Sequence, residues 1–151
     1  FYQNMKHQIT LIIHLLAATI WVGGHLILCF RYLPKALKKK DPQVIREFEK
    51  QYEPLGIPAL ILLIITGILM AYDYNATIST WFSFSNNIEK VVSIKLLLLF
   101  STLILAIHAR FFLIPKLNPS NLLSMSLHIV ILSSISVAML VFGSLVRIGG
   151  V

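Results

Sequence analysis

The sequence predicts an all-α integral membrane protein, a four-helix antiparallel bundle with both termini on the outer, periplasmic side. Three observations predict it. Hydrophobic residues make up 57% of the 151-residue chain and charged ones only 13%, more apolar side chain than a soluble domain of this size can hide. The apolar residues fall into four runs, each near the roughly 20 residues that a ~30 Å hydrocarbon core requires of a helix. The net charge of +7 is concentrated between runs, as in the cytoplasmic loops of membrane proteins, which argues against nucleic acid as the partner. A bacterial-type barrel would show short alternating strands instead.

The length fits one transmembrane domain covering residues 1–151. The first span is expected from about Gln8 to Phe30; it is long and lacks a small-residue cleavage pattern, so it reads as a retained span and not a signal peptide. The second is expected from about Pro54, which suits a first helical turn because its missing N–H has no partner there, to Tyr72. The third runs from about Val91 to Ile114 and is stopped by Pro115 and Pro119. The fourth runs from about Leu122 to Val146, with Gly149 and Gly150 beyond it.

Orientation follows from the cations. The 31–53 loop carries Arg31, Lys35, Lys38, Lys39, Lys40, Arg46 and Lys50, and the connection after span three carries Lys116 beside Arg110. The opposite side has Lys6, Lys90 and Arg147. Both basic loops are therefore expected in the cytoplasm of a bacterium, with the chain in the inner membrane. Within the first loop, Pro42 to Tyr52 reads as a short surface helix. Cys29 is the lone cysteine, so no disulfide forms within the chain.

Four histidines lie inside the spans, and ionisable groups at such depth are functional candidates. His14 and His25 are close to three turns apart, ~16 Å along one face of the first helix, with Trp21 on the same stripe. Followed along the alternating chain direction, His25, His108 and His128 fall ~8–9 Å inside the cytoplasmic boundary on three different helices. Imidazoles from facing helices are the standard axial ligands of haem iron, so two of these three would clamp a b-type haem. Gly23 and Gly24 would let a flat macrocycle approach the backbone. His14 would serve a second haem or a metal, with Lys95, Met70 or Met139 near its depth; imidazole and thioether together suit Cu(I). The serines of span four offer hydrogen bonds to such groups or ordinary helix packing. The acidic residues all lie in loops or at span ends, and no Ser-His-Asp order, phosphate loop or CxxC pair is present.

The segment His14-Leu15-Leu16-Ala17-Ala18-Thr19-Ile20-Trp21-Val22-Gly23-Gly24, followed by Thr66-Gly67 and Lys95-Leu96-Leu97, resembles the copper-resistance protein D (CopD) family. His14, Trp21, Pro58, Gly67, Lys95 and His108 also resemble positions in the related four-helix bacterial protoporphyrinogen oxidases (HemJ), which bind haem b. The residues together make the leading expectation a haem-b-binding redox protein of the inner membrane, with one or two haems. Its site would be drawn from His14, His25, His108 and His128, with Trp21, Gly24 and Lys95 beside the cofactor and Met139 as a further metal ligand. The family name implies copper handling as the alternative. An oxidase of protoporphyrinogen or quinol, and an accessory subunit of a respiratory complex, are the others. The expected partners are membrane lipid, a quinone or redox protein, and a second copy or larger complex.

Overall fold

The computed structural model describes residues 2–146 and 149. Arg147 and Gly150, placed by the sequence beyond span four, lie outside the described residues. The elements are α1 (Tyr2–Ile27), α2 (Leu33–Lys39), α3 (Gln43–Asp73), α4 (Asn87–His108) and α5 (Leu122–Leu145). A π-helical turn at Leu28–Tyr32 joins α1 to α2, and a second at Ala109–Leu113 ends α4. Four segments are long and apolar enough to cross a membrane: Met5–Lys39, Gln43–Asp73, Asn87–Leu113 and Leu122–Leu145. No strand occurs among the described residues.

Two expected boundaries are corrected. The first helical segment does not stop at Phe30 but runs to Lys39, where Lys40 adopts a left-handed conformation (φ 51°) that ends it. The short surface helix expected over Pro42 to Tyr52 is instead the first third of α3, and Pro54 and Pro58 sit inside that helix. Each proline removes one backbone bond, yet the helix passes through because its N-terminal half is anchored. Val44 and Ile45 are buried against Leu33, Ala36, Leu117, Leu122, Met125 and Ile129 in a core at the basic-loop end, and the Arg46 guanidinium donates to the Leu117 carbonyl. Burial of that many apolar side chains outweighs two missing hydrogen bonds.

The helices neighbour one another in the order α3, α1, α5, α4. α1 packs along α3 and also against α5, α5 carries α4, and α3 meets α4 hardly at all. The ring of four is thus open on one side. At the termini end His7 Nδ1 stands 2.7 Å from Asp73 Oδ2, tying α1 to α3. At the basic-loop end Arg110 Nη1 stands 2.7 Å from Glu53 Oε2 and bridges the open side.

Candidate functional site

Where α3 and α4 part, a cavity of about 300 Å³ reaches into the bundle. Its wall takes residues from every long helix: Trp21, Gly24 and His25 of α1, Tyr52 and Gly56 of α3, Leu103 and Ala106 of α4, and Met125, His128 and Leu132 of α5. Glu49, Glu53 and Arg110 line its basic-loop end. Everything else in the wall is apolar or aromatic, so polar contacts are available to a ligand at few points.

His25 is 6% exposed, and its Nδ1 lies 2.7 Å from the Trp21 carbonyl one turn earlier. A carbonyl only accepts, so Nδ1 carries the proton and Nε2 keeps the lone pair. His128 is 8% exposed and is held the other way round, with Nε2 donating to the Leu105 carbonyl at 2.9 Å, which leaves Nδ1 basic. Anchoring one ring nitrogen on a carbonyl fixes both tautomer and ring plane, the support that metal-binding imidazoles ordinarily have.

The ring of Tyr52 explains the neighbouring glycine. A Cβ on Gly24 would meet Tyr52 Cε2 at 2.1 Å, and one on Gly56 would meet Cε1 at 2.6 Å. The ring therefore lies between the two helix backbones at positions that admit no side chain. Its hydroxyl donates at 3.2 Å to the Ile20 and Trp21 carbonyls. The space beside Gly24, read from sequence as room for a macrocycle, is filled by this ring, whereas Gly23 faces open space. Tyr52 in turn meets His25 edge-on at 5.9 Å and stacks on Phe48 at 5.4 Å.

The three histidines placed at one depth come together in pairs. His25 and His128 share the cavity. His128 and His108 stand with ring centroids 5.8 Å apart, on α5 and α4. His108 itself is exposed and stacks on Phe112. Among the described residues no group of three or more His, Cys, Asp or Glu side chains gathers as a metal site. Cys29 packs against the core at the basic-loop end. Of the span-four serines, Ser133 donates to the His25 carbonyl at 3.1 Å, while Ser126, Ser134 and Ser136 donate to carbonyls of their own helix.

His14 belongs to a separate place nearer the termini. Thr66 Oγ1 donates to the Leu62 carbonyl at 2.5 Å, so it accepts from His14 Nδ1 at 2.7 Å, and His14 keeps its lone pair on Nε2. Gly67 leaves the ring room: a Cβ there would stand 3.6 Å from His14 Cε1. Lys95 is half-buried on α4 with its Nζ against Gly143, within electrostatic reach of His14. Met139 is engaged by the Thr102 hydroxyl at 4.0 Å, and Met70 is half-buried on α3.

Met125 and Tyr52 belong to these sites without being among the residues that the sequence singles out, and Thr66, which stands out there only through the Thr66-Gly67 resemblance, proves to be the partner of His14. Met125 precedes His128 by three residues, a spacing that places both on one helix face, so that signal was present. Tyr52 is hidden by its place at the end of the charged segment from Pro42, which by sequence predicts a surface helix.

A family model described as Copper resistance protein D matches residues 46–148. The chain belongs to the copper resistance protein D family. The match takes in α3 from residue 46 onward, α4 and α5, hence Tyr52, His108, Met125 and His128. It makes the chain a multi-pass inner-membrane protein of a copper-resistance family. No curated protein and no solved structure matches the chain.

Proposed function

We propose that the protein handles copper within the membrane, binding Cu(I) as cargo between His108 and His128 with Met125 as a thioether ligand. The observation that carries this reading is the His108–His128 pair, whose ring centroids are 5.8 Å apart. Metal–imidazole bonds of ~2 Å on both rings separate the centroids by about 6 Å when two imidazoles share one ion. His128 already has its remote nitrogen on the Leu105 carbonyl, so little reordering is needed on that side. Met125 lies one turn before His128 and lines the same cavity. Imidazole and thioether favour the soft cuprous ion, and family membership supports copper as the cargo.

The test is Cu(I) binding to the purified protein under reducing conditions, with His108→Ala, His128→Ala and Met125→Leu compared with the parent. Each histidine variant is expected to weaken binding at least about tenfold, a change of ~1.4 kcal/mol, and His25→Ala to leave it within about twofold. Equal binding in the parent and in the His108, His128 and Met125 variants would refute the assignment.

A second reading is favoured by one observation, that His25 and His128 face a common cavity from different helices. Both imidazoles have a second nitrogen on a backbone carbonyl, the support that axial imidazoles ordinarily have, and a haem b held between them would supply one-electron transfer. Trp21 beside His25 would pack on the macrocycle, and Arg110 at the basic-loop end would hold a propionate. This reading predicts b-type absorption bands lost in His25→Ala, the variant to which the copper reading is indifferent.

A further inference from the structure

The cavity has features that a small cation between His108 and His128 does not use. It opens sideways between α3 and α4, which barely touch, and its rim includes Ile57, Ile107 and Phe111, all exposed. In a bilayer those side chains meet hydrocarbon, so a ligand reaches the cavity from the lipid and must itself be apolar. The inner wall is built of flat rings: Trp21 and His25 with centroids 4.4 Å apart, then Tyr52 and Phe48. Among the described residues, two polar groups of the residues in this wall lack a partner. Trp21 is 7% exposed and its Nε1–H has no hydrogen-bond acceptor. His25 spends Nδ1 on the Trp21 carbonyl and keeps the Nε2 lone pair. A buried N–H without a partner is costly, and a bound oxygen would relieve that cost.

We infer that this cavity binds a membrane-dissolved quinone or quinol, its ring lying among Trp21, His25 and Tyr52 and its tail leaving between α3 and α4. A planar ring with oxygens on opposite edges answers both unpartnered groups. A quinone carbonyl accepts from an indole N–H, and a quinol hydroxyl donates to an imidazole lone pair. A phospholipid acyl chain would fill the apolar rim but leave both groups unanswered. The cavity, about 300 Å³, is at the lower end of the range of small-molecule sites, suited to one ring. Glu49, Glu53 and Arg110 close the basic-loop end, which keeps the ring at the depth of His25. The inference stands apart from the copper reading, because it uses His25 and not the His108–His128 pair.

Quenching of tryptophan fluorescence by a short-tailed ubiquinone analogue tests it. The chain has two tryptophans, so Trp81→Phe leaves Trp21 as the reporter, in full-length protein reconstituted in lipid nanodiscs. Saturable quenching is expected, weakened about tenfold or more by Ala106→Phe, which fills the cavity, and by His25→Phe, which keeps a ring but removes the lone pair. Leu97→Phe, at an exposed position outside the cavity wall, is expected to leave the binding curve unchanged. Quenching that rises linearly with quinone and is the same in all variants would overturn the inference. A phospholipid that co-purifies and is not displaced by the quinone would overturn it as well. Cu(I) binding measured on the same samples separates the two ideas: copper lost with quinone saturation intact refutes only the copper reading, and the converse refutes only this one.

Discussion

At the residue scale, the chemistry of this chain rests on how each imidazole is anchored. His14, His25 and His128 each bind an oxygen through one ring nitrogen, a threonine hydroxyl in the first case and a backbone carbonyl in the others. Thr66→Val would leave the His14 Nδ1–H without its acceptor, and a loss of roughly 1–3 kcal/mol is expected. Thr66→Ser should restore most of it, which denaturant titration of the two variants would check. Gly24 makes a sharper case, since helix propensity alone would favour alanine there by ~1 kcal/mol. The Tyr52 ring decides the sign. It is held between Gly24 and Gly56 and must shift to admit a new methyl group, giving up its contacts with Phe48 and His25, so overpacking of about 1–3 kcal/mol is expected. The two costs should not add: in Gly24→Ala with Tyr52→Leu, much of the loss caused by Gly24→Ala alone should disappear. Additive melting shifts would show that the two residues do not meet.

At the scale of the elements, the sequence made the four spans legible because each is apolar over its whole length, and periodicity had little to add. Helical rise alone predicts one level for His25, His108 and His128, and His128 does meet His108 and share a cavity with His25. Azimuth was not legible, and it is azimuth that puts His25 with His128 in the cavity and His108 against His128 on the flank. Pro54 gave a sound local signal for a helix start, but the Val44 and Ile45 contacts at the basic-loop end carried the helix back to Gln43. That change of boundary is what brings Tyr52 and Glu49 to the site. The Arg110–Glu53 pair bridges the open side from an exposed position, with side-chain exposures of 54% and 30%. Such pairs contribute about 0–1 kcal/mol. Arg110→Ala should therefore shift the melting temperature little, and a marked loss of stability would assign the pair a structural role.

At the scale of the whole molecule, the architecture is an open ring, α3 beside α1, α1 beside α5 and α5 beside α4, with the gap between the first and last members forming the site. Placing polar groups at such a gap, and not in a closed core, lets a membrane-embedded chain offer ligands to something outside itself. The cations predict how the ring sits in the bilayer: the basic connections on the cytoplasmic face and both termini opposite. In a Cys29→Ala background, Lys39→Cys and Asn118→Cys should resist an impermeant thiol reagent applied to spheroplasts, and Asn75→Cys should react. The reverse pattern would invert the protein.

The central claim is that His108 and His128 hold copper. The most direct measurement is anaerobic Cu(I) titration of the purified parent and of His128→Ala, with a visible spectrum and metal analysis on each sample. The account predicts about one copper per chain in the parent, at least about tenfold weaker binding in the variant, and no requirement for haem. Stoichiometric haem with no copper binding, or copper binding indifferent to His128, would contradict it.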